Sequence, residues 1–380
     1  MEGVGLYVHI PFCTSKCNYC DFVSFPYAMV KHQSTDYFQA LKTEMELIRE
    51  NYGALAVNTV YFGGGTPSLV SESFIDYVLS HIRRYFCIKD DIEISIEANP
   101  ETVTLNKFKA YADMGINRVS LGVQTDSGDC LIEMSRHHSW KDVIHAIECV
   151  REAGFTNLGV DLIYGLPGQS LEQWENTVRK VLEQKPEHMS LYGLKLSQET
   201  VWGRLAKAGT LTLPNEDQQA DMYLEAQEIV RRAGLEQYEI SNYAKPGFQS
   251  RHNLIYWRGQ HYLGIGVSAA SYYNKYRWSN YQLLSQYITS LKDRSWPREE
   301  MLTLSKKEEM AETIIMGLRL VKEGVSIPAF EERFGVSMHQ IYEKEIVSLT
   351  EGGLIEENNR QLLLTERARL LANEVFREFI

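Results

Sequence analysis

Between residues 5 and 235 the chain alternates six times between a short run rich in β-branched residues and a longer stretch with helical periodicity. Parallel strands need a crossover connection, and a helix normally supplies it, so six such pairs predict a parallel sheet. The predicted strands are residues 5–10, 57–62, 91–98, 118–123, 157–163 and 188–194, and the predicted helices are residues 34–52, 71–86, 104–114, 140–153, 171–184 and 216–233. Ser34 and Ser71 are predicted N-caps, and Gly115, Gly154 and Gly234 are predicted to end helices in the left-handed conformation.

The residues that follow the strands decide between a barrel and an open sheet. The first strand leads into a cysteine-rich loop, the second into Gly63-Gly64-Gly65, and the fifth contains Asp161. An open doubly wound sheet concentrates its chemistry at one switch point, whereas a barrel builds its site from many strand-to-helix loops. We therefore predict an α/β protein with a partial (β/α)6 barrel whose site lies at the carboxyl ends of the strands.

The sequence changes character after residue 235. Three parts are predicted: a barrel core at 1–235, a β- and aromatic-rich connecting segment at 236–300, and a helical C-terminal domain at 301–380. In the connecting segment, added strands are predicted at 237–243, 251–258 and 264–273. In the C-terminal part, predicted helices at 306–322, 327–334 and 338–351 precede a short hairpin and a last helix. This order resembles a winged-helix module, for which we expect a packing or substrate-covering role because the chain is acidic.

Charge limits the classes of function. With 39 Lys and Arg against 50 Asp and Glu, the formal charge is −11 and the pI about 5.5, which is the wrong sign for coating nucleic acid or an anionic membrane. The first residues show no secretion signal, and no uninterrupted apolar run approaches the roughly 18–20 residues that span a bilayer. We expect a cytoplasmic protein with no nucleic-acid partner and no transmembrane segment.

Three of the six cysteines lie within eight residues, in the spacing Cys13-x3-Cys17-x2-Cys20, and the other three occur singly. A disulfide framework would spread them more evenly and belongs to small secreted chains, so the group predicts a metal site. Three thiolates suit an iron–sulfur cluster in which one iron has no protein ligand. A zinc site with His9 as the fourth donor, or three thiols without metal, are the alternatives.

Four sequence motifs carry a resemblance to a known family. They are Leu6-Tyr7-Val8-His9-Ile10-Pro11-Phe12-Cys13, Tyr61-Phe62-Gly63-Gly64-Gly65-Thr66-Pro67, Leu121-Gly122-Val123-Gln124 and Asp161-Leu162-Ile163-Tyr164-Gly165-Leu166-Pro167. A CxxxCxxC loop after the first barrel strand resembles that of radical S-adenosylmethionine (SAM) proteins, and the motifs together resemble the oxygen-independent coproporphyrinogen oxidase family. The resemblance implies that Cys13, Cys17 and Cys20 hold a [4Fe-4S] cluster and that the amino and carboxylate groups of SAM chelate the fourth iron.

The same resemblance implies a set of SAM-binding residues. They are Tyr7, Gly64, Gly65, Thr66, Glu97, Gln124, Arg136 and Asp161. Glu97 or Asp161 would accept hydrogen bonds from the amine or the ribose hydroxyls, and Arg136 would pair with the carboxylate. Glycines that lack Cβ let the backbone approach a ligand closely. Tyr19, between two of the cysteines, is expected to shield the cluster or to stack near the adenine.

Two features divide the family. Phe22 stands where coproporphyrinogen oxidases have a fourth cysteine, and the chain begins only 12 residues before Cys13, where those enzymes carry a longer extension. Both features resemble the HemW-like branch, whose members are heme chaperones. The implied function is binding of heme and its transfer to an acceptor protein of unknown identity, with peripheral contact to membrane heme proteins as one route. SAM and the cluster would then be structural or regulatory.

Coproporphyrinogen oxidase activity is not expected on this interpretation, whereas the retained SAM-contacting residues leave open the reductive cleavage of SAM to a 5′-deoxyadenosyl radical. The main alternative is an oxygen-independent coproporphyrinogen III oxidase, which would convert propionate side chains to vinyl groups by radical decarboxylation. A radical SAM enzyme with a different substrate is the third interpretation.

The segment His252-Asn253-Leu254-Ile255-Tyr256-Trp257 fits the HNxxYW pattern of the same branch. An imidazole can bind heme iron and an aromatic pair can pack on a porphyrin face, so His252, Tyr256 and Trp257 are the candidate heme residues. Other candidate iron ligands are His9, His137, His138, Cys87, Cys130 and Cys149. The tyrosine-rich segment 238–287 is expected to form either a core layer below the C-terminal module or a wall for a large flat ligand.

Overall fold

The computed structural model describes residues 3–358 and 360–380. All six predicted strands and all six predicted helices of the barrel region are present, with small shifts at their ends. The strands are β1 (Val4–Ile10), β2 (Ala56–Gly64), β3 (Cys87–Ala98), β4 (Arg118–Gln124), β5 (Leu158–Tyr164) and β6 (His188–Gly193). The helices between and after them are Ser34–Tyr52, Glu72–Tyr85, Leu105–Asp113, Trp140–Glu152, Leu171–Glu183 and Glu216–Arg232.

Most of the predicted helix ends are confirmed. The Ser71 side chain accepts a hydrogen bond from the Ser73 amide, and Gly115, Gly154 and Gly234 have φ values of +86°, +92° and +85°. The prediction for Ser34 was wrong. A single 3-10 turn (Lys31–Gln33) runs directly into the helix that begins at Ser34, so the Ser34 hydroxyl donates backward to the Lys31 carbonyl (2.7 Å) and does not cap the helix.

The sheet has the strand order of a barrel. Strands β1 to β6 are parallel and adjacent in chain order, with no reversal that would create the switch point of a doubly wound sheet. A seventh parallel strand, Tyr262–Ile265, pairs with β1 from the other side. Antiparallel strands extend both edges: Ala270–Tyr273, Tyr276–Ser279 and Leu302–Thr303 beyond Tyr262–Ile265, and Asn242–Ala244 and Glu236–Glu239 beyond β6. The predicted partial α/β barrel is confirmed.

The parallel strands are apolar on one face and polar on the other. Successive side chains of a strand point to opposite faces, so the pattern is visible at every second residue. The outer face packs under the helices in one core that includes Leu6, Val8, Ile10, Val60, Phe62, Ile94, Ile96, Val119, Leu121, Val123, Leu158, Val160, Leu162, Met189 and Leu191. The inner face of β4 instead carries Arg118, Ser120, Gly122 and Gln124. Complete (β/α)8 barrels usually fill their interior with branched apolar side chains. Here the polar residues of β4 line a cavity instead, which indicates an interior that binds a ligand.

The strand predicted at 251–258 was wrong, because these residues form the helix Arg251–Trp257. Ser250 caps it by accepting from the Asn253 amide (3.3 Å). The carboxylate of Glu93, from the inner face of β3, accepts from the amides of Arg251 (3.1 Å) and His252 (3.0 Å). A buried carboxylate at a helix N-terminus satisfies free amides and complements the helix dipole. The helix thereby closes the amino end of the barrel.

The C-terminal part has a separate apolar core that contains Ile314, Phe330, Met338, Leu362 and Val375. Its helices are Lys306–Leu318, Ile327–Phe334, Met338–Glu351 and Ala372–Arg377, and its three-stranded antiparallel sheet has the order Val325–Ser326, Gln361–Leu364, Ile355–Glu357. Three helices followed by a hairpin match the predicted winged-helix-like order. Within the described ranges, no helix combines the length and the apolar character needed to cross a membrane.

The remaining elements are short. They are the helices Tyr27–Val30, Gly128–Glu133, Val201–Lys207 and Leu284–Lys292, the 3-10 turns Pro67–Leu69, Pro100–Thr102 and Glu366–Arg369, and the paired strands Phe12–Cys13 and Phe25–Pro26.

Glu44, in the helix Ser34–Tyr52, is a buried residue that forms hydrogen bonds with the connecting segment. Its carboxylate accepts hydrogen bonds from the Gly266 amide (2.9 Å), the Asn280 side-chain amide (2.6 Å) and the Tyr287 hydroxyl. Burial raises the pKa of Glu44 from 4.5 to about 7.

We expect this shifted group to make stability depend on pH. Between pH 4.5 and 7 the folded chain keeps a proton on Glu44 that the unfolded chain has lost, so the free energy of unfolding falls as pH rises. The loss is about 3 kcal/mol, since one pKa unit corresponds to about 1.4 kcal/mol. Glu44→Gln cannot ionise, so urea denaturation should show the wild type losing that amount relative to the variant over the interval. Parallel pH profiles for the two proteins would contradict this assignment.

Candidate functional site

The three clustered cysteines lie in a loop at the carboxyl end of β1. Cys13 ends the two-residue strand Phe12–Cys13, and Cys17 and Cys20 follow in the loop. Other parts of the chain hold this loop, because the Asn18 amide donates to the Met134 carbonyl (3.2 Å) and the Asn18 carbonyl accepts from the Trp202 amide (2.9 Å). All three cysteines are partly exposed and line one cavity.

This cavity has a volume of about 690 Å³ and extends through the barrel interior. The cysteine loop lines it at the carboxyl ends of the strands, and the helix Arg251–Trp257 lines it at the amino ends. Most of the sequence-predicted site residues meet here: Cys13, Cys17, Tyr19, Cys20, Gly64, Gly65, Thr66, Glu97, Gln124, Arg136, Asp161, Tyr256 and Trp257. Tyr7 and His252 lie outside the lining.

The donor set fits an iron–sulfur cluster better than zinc. Ligands of a zinc ion converge on one point, whereas the cysteines of a cubane bind separate irons. In residues 3–358 and 360–380, no three His, Cys, Asp or Glu side chains converge as a single ion requires. His9 is already engaged, since Nε2 is hydrogen-bonded to the Val23 carbonyl (2.8 Å) and Nδ1 to the Tyr7 hydroxyl (3.0 Å). Burial raises the pKa of the Cys17 and Cys20 thiols, so binding of iron would release protons from both.

Arg136 offers two buried donors that the protein leaves unpaired. Its Nη2 donates to the Tyr19 hydroxyl (3.1 Å), whereas Nε and Nη1 are buried without a hydrogen-bond partner in the described structure. A guanidinium presents its donors in a planar fork that matches a carboxylate. Arg136 therefore provides the complement for a carboxylate ligand beside the cysteine loop.

Two half-buried carboxylates line the same cavity. Glu97 accepts from the Tyr61 hydroxyl (2.9 Å) and the Gly64 amide (3.1 Å), and Asp161 accepts from the Ser120 hydroxyl (3.0 Å). Burial raises the pKa of both carboxyls, that of Glu97 to about 7, and the charge of Asp161 adds to the shift of Glu97. A cationic group in the cavity would favour their ionised forms. With Arg136, these carboxylates suit a ligand that carries both a carboxylate and a positive charge, as SAM does.

The glycine-rich stretch packs tightly against β1. A Cβ on Gly64 would lie 2.4 Å from the His9 ring, and one on Gly65 would lie 2.8 Å from the Phe12 backbone. Gly64 also has φ = +111°, a conformation that disfavours other residues. The structure thus gives a packing reason for these glycines, while their approach to a ligand stays a prediction.

Gln124 sits in a strained position at the end of β4. Its φ is +66°, and the pairing of β4 with β5 shifts register between Gly122 and Gln124. A non-glycine residue in this region costs on the order of 1–3 kcal/mol and persists where its surroundings enforce it.

Thr66 connects the glycine-rich stretch with the cysteine loop. Asn99 Nδ2 donates to Thr66 Oγ1 (3.2 Å), and the Thr66 hydroxyl lies 3.7 Å from the Cys13 sulfur.

Tyr7 and Tyr19 have different positions relative to the cavity. The Tyr7 hydroxyl is hydrogen-bonded to His9, and the centre of the Tyr7 ring lies 6.2 Å from that of Tyr61. Tyr61 lines the cavity, whereas Tyr7 does not. Tyr19 lines the cavity, packs 6.0 Å from the ring of Trp202, and accepts from Arg136. Tyr7 therefore supports the site from behind, while Tyr19 borders it.

His252 is buried at the amino end of the barrel, away from the cysteine loop. Its Nδ1 is hydrogen-bonded to the Thr59 hydroxyl (2.7 Å) and its Nε2 to the Tyr256 hydroxyl (2.8 Å). The ring stacks 5.2 Å from Tyr61, and a Cβ on Gly5 would lie 3.3 Å from it. Burial lowers the pKa of His252 to about 3, so the imidazole is neutral. Both nitrogens have partners in this conformation.

The other candidate iron ligands are dispersed. His138 is buried between the Val123 carbonyl (3.1 Å) and Glu101 (3.4 Å), whereas His137 is exposed and bonded to Ser15 (2.9 Å). Cys87 is exposed, Cys130 is half-buried, and Cys149 is buried.

Several cavity residues were missed by sequence analysis. They include Tyr61, Asn99, Arg118, Ser120, Tyr192, Glu239, Asn242 and Arg319. A signal for two of them was present, because Arg118 and Ser120 alternate with apolar residues and share the strand face of Gln124. Glu239, Asn242 and Arg319 come from later segments, and only the tertiary fold brings them to the barrel.

The chain is similar to known proteins in family, in sequence and in fold. Residues 7–181 match the radical SAM superfamily, and residues 304–371 match the HemN C-terminal domain. The heme chaperone HemW of Bacillus subtilis is 36% identical over 376 residues, which is 98% of each chain. The heme chaperone HemW of Lactococcus lactis is 36% identical over 375 residues, covering 98% of this chain and 96% of that one. Among solved structures, the coproporphyrinogen III oxidase HemN of Escherichia coli matches with a TM-score of 0.86 at 24% identity, covering 100% of this chain and 90% of that one, and so shares its fold.

Proposed function

Because the chain belongs to the HemW heme chaperone family, within the radical SAM superfamily, we propose that it binds heme and transfers it to an acceptor protein. The observation that carries this proposal is the continuity of the cavity. It joins the cysteine loop to Tyr256 and Trp257 of the HNxxYW segment, so two different ligands can be held in one interior. An aromatic pair at the amino end suits the flat, largely apolar face of a porphyrin.

The cofactor site is proposed at the opposite end. Cys13, Cys17 and Cys20 would hold one [4Fe-4S] cluster, and SAM would lie between the cluster, Arg136 and the Glu97–Asp161 pair. When bound, this pair of cofactors supplies the capacity for reductive cleavage of SAM to a 5′-deoxyadenosyl radical. We assign the cofactors a structural or regulatory role in this chain, with SAM exchangeable.

The proposed heme contacts are Tyr256 and Trp257. Trp257 has a buried indole Nε1 without a partner in the described part of the chain, and Arg319 lies 4.3 Å over its ring. Ligation of heme iron by His252 stays a prediction, and it would require Nε2 to exchange the Tyr256 hydroxyl for iron. The acceptor is proposed to be a heme protein met in the cytoplasm or at the membrane surface.

Heme titration of the anaerobically reconstituted protein tests the function. We expect saturable binding of heme at micromolar concentration or tighter. Coproporphyrinogen III, given with SAM and a reductant, should be recovered unchanged. Formation of a vinyl product with turnover would instead support the oxidase alternative, and absence of heme binding would contradict the chaperone proposal.

A further inference from the structure

Arg118 is a fully buried arginine in the barrel interior whose guanidinium has no ion-pair partner among the described residues. It begins β4, is 1% exposed, and lines the large cavity. Its Nε is buried without a hydrogen-bond partner, and no carboxylate among the described residues lies within ion-pair distance of its guanidinium. The absence of a side chain at Gly159 makes room for it, since a Cβ there would lie 3.1 Å from Nη2.

The carboxylates around Arg118 have other partners. Glu93 accepts the amides of Arg251 and His252, and Asp161 accepts the Ser120 hydroxyl. These negative charges compensate Arg118 through space without using its donors. A buried guanidinium is stable only when its charge is balanced and its donors are satisfied, so unused donors that face a cavity indicate an acceptor brought by a ligand or by water.

Arg118 lies deeper in the barrel than the proposed SAM residues. Glu97 pairs with Ser120 across β3 and β4, whereas Ser95 pairs with Arg118, two residues nearer the amino ends. The same cavity is lined by further residues with a buried polar atom that has no hydrogen-bond partner in the described structure, namely Glu101, Arg136, Asn242, Trp257 and Arg319. The interior therefore has free donors at Arg136, beside the cysteine loop, and separately at Arg118, nearer the amino ends of the strands.

We propose that the inner end of the cavity is a binding subsite for the carboxylate of a second ligand, with Arg118 as its anchor. This inference rests on the proposed function, under which the carboxylate is a propionate of heme. An anchored propionate would place the porphyrin between Arg118 and the aromatic wall of Tyr256 and Trp257. The carboxylate of SAM is the other possible source of the same chemistry, and water is the simplest occupant.

The test compares heme with its dimethyl ester, which has the same ring and iron but no free carboxylates. Both are titrated in the same detergent into the reconstituted wild type, Arg118→Gln and Arg118→Lys. We expect the wild type to prefer heme over the ester by about 10- to 100-fold, the range of a hydrogen bond to a charged group. Arg118→Gln should bind both ligands with the weak affinity of the ester. The heme affinity of Arg118→Lys should lie between those of the wild type and Arg118→Gln, because lysine keeps the positive charge but lacks the planar fork of donors.

Two further measurements separate the alternatives. SAM affinity should be unchanged in Arg118→Lys and Arg118→Gln, and a loss of SAM binding with heme binding intact would assign Arg118 to the SAM carboxylate and overturn the proposal. Arg369→Gln is the matched control and should bind heme as the wild type does, since Arg369 is a half-buried arginine with one unpaired Nε that does not line the cavity.

The remaining outcomes are also decisive. Equal binding of heme and ester by the wild type means that water alone occupies the inner donors, and it overturns this inference while leaving the chaperone function standing. Failure of the wild type to bind heme overturns both. If Arg118→Gln does not fold, the wild-type preference and Arg118→Lys still decide the result.

Discussion

Cys17→Ala protein should contain almost no iron or acid-labile sulfide after anaerobic reconstitution, and it should lack the broad visible absorbance of a [4Fe-4S] cluster. Thiolates are the ligands that hold such a cluster, and each cysteine of the loop would bind a different iron. Cys17 is the central one, and His9, the histidine considered as a fourth donor, has both ring nitrogens hydrogen-bonded. Loss of one thiolate therefore removes the cluster and not merely one bond.

Two other cysteines serve as matched controls. Cys130→Ala removes a half-buried thiol near the same loop, and Cys87→Ala removes an exposed thiol at the start of β3. Both variants should keep the iron content and absorbance of the wild type. Full iron content in Cys17→Ala, or its loss in Cys130→Ala, would contradict the ligand assignment. Circular dichroism of the cluster-free proteins checks that each variant keeps its fold.

Sequence periodicity was sufficient for the barrel because its strands and helices are locally determined. In β1, Leu6, Val8 and Ile10 are buried at every second position, and the following helices carry apolar stripes at helical spacing. Helix ends at Gly115 and Gly154 were likewise predictable, since only glycine adopts their positive φ without cost. The cysteine and glycine-rich motifs then fell at the carboxyl ends of the strands, where parallel topology brings them together.

The helix Arg251–Trp257 could not be predicted in the same way. It has only 7 residues, too few to show a periodicity, and its N-terminus depends on the Glu93 carboxylate, which lies 158 residues earlier in the chain. This tertiary contact also determines the environment of His252. The HNxxYW motif predicts His252 as a ligand of heme iron. In the structure, both ring nitrogens of His252 are hydrogen-bonded to protein side chains.

The polar interior was partly predictable. Arg118, Ser120, Gly122 and Gln124 alternate with Val119, Leu121 and Val123, which is the pattern of a strand with one apolar and one polar face. Of the residues in this strand, only Gln124 was a predicted site residue. A charged residue at the start of a buried strand was the available sign that the inner face is built around ligands and not around a packed core.

The cavity also explains why the C-terminal module would matter for function. Arg319 follows the helix Lys306–Leu318 of that module, yet it reaches the barrel interior, contacts Glu239 (3.4 Å) and covers Trp257. The C-terminal module therefore contributes a residue to the same cavity that the cysteine loop lines.

Arg136→Gln should weaken SAM binding to the reconstituted protein by about 100-fold, equivalent to about 3 kcal/mol, because truncating one partner of a buried charge pair typically costs 2–5 kcal/mol. The two unpaired donors of Arg136 are the structural reason, since no described protein group satisfies Nε and Nη1. Equilibrium dialysis under anaerobic conditions measures the effect. Arg136→Lys should lose less affinity, because it keeps the charge but not the planar fork.

Decarboxylated SAM shows whether the loss comes from the carboxylate. It retains the sulfonium and the adenosine but has nothing for Arg136 to bind, so the wild type and Arg136→Gln should hold it with equal, weak affinity. Tyr19→Phe is the matched structural control, since it removes the hydroxyl that accepts from Nη2 and leaves the unpaired donors in place. SAM should therefore bind to Tyr19→Phe far better than to Arg136→Gln. If Arg136→Gln weakens SAM and decarboxylated SAM equally, Arg136 shapes the cysteine loop and does not bind the carboxylate.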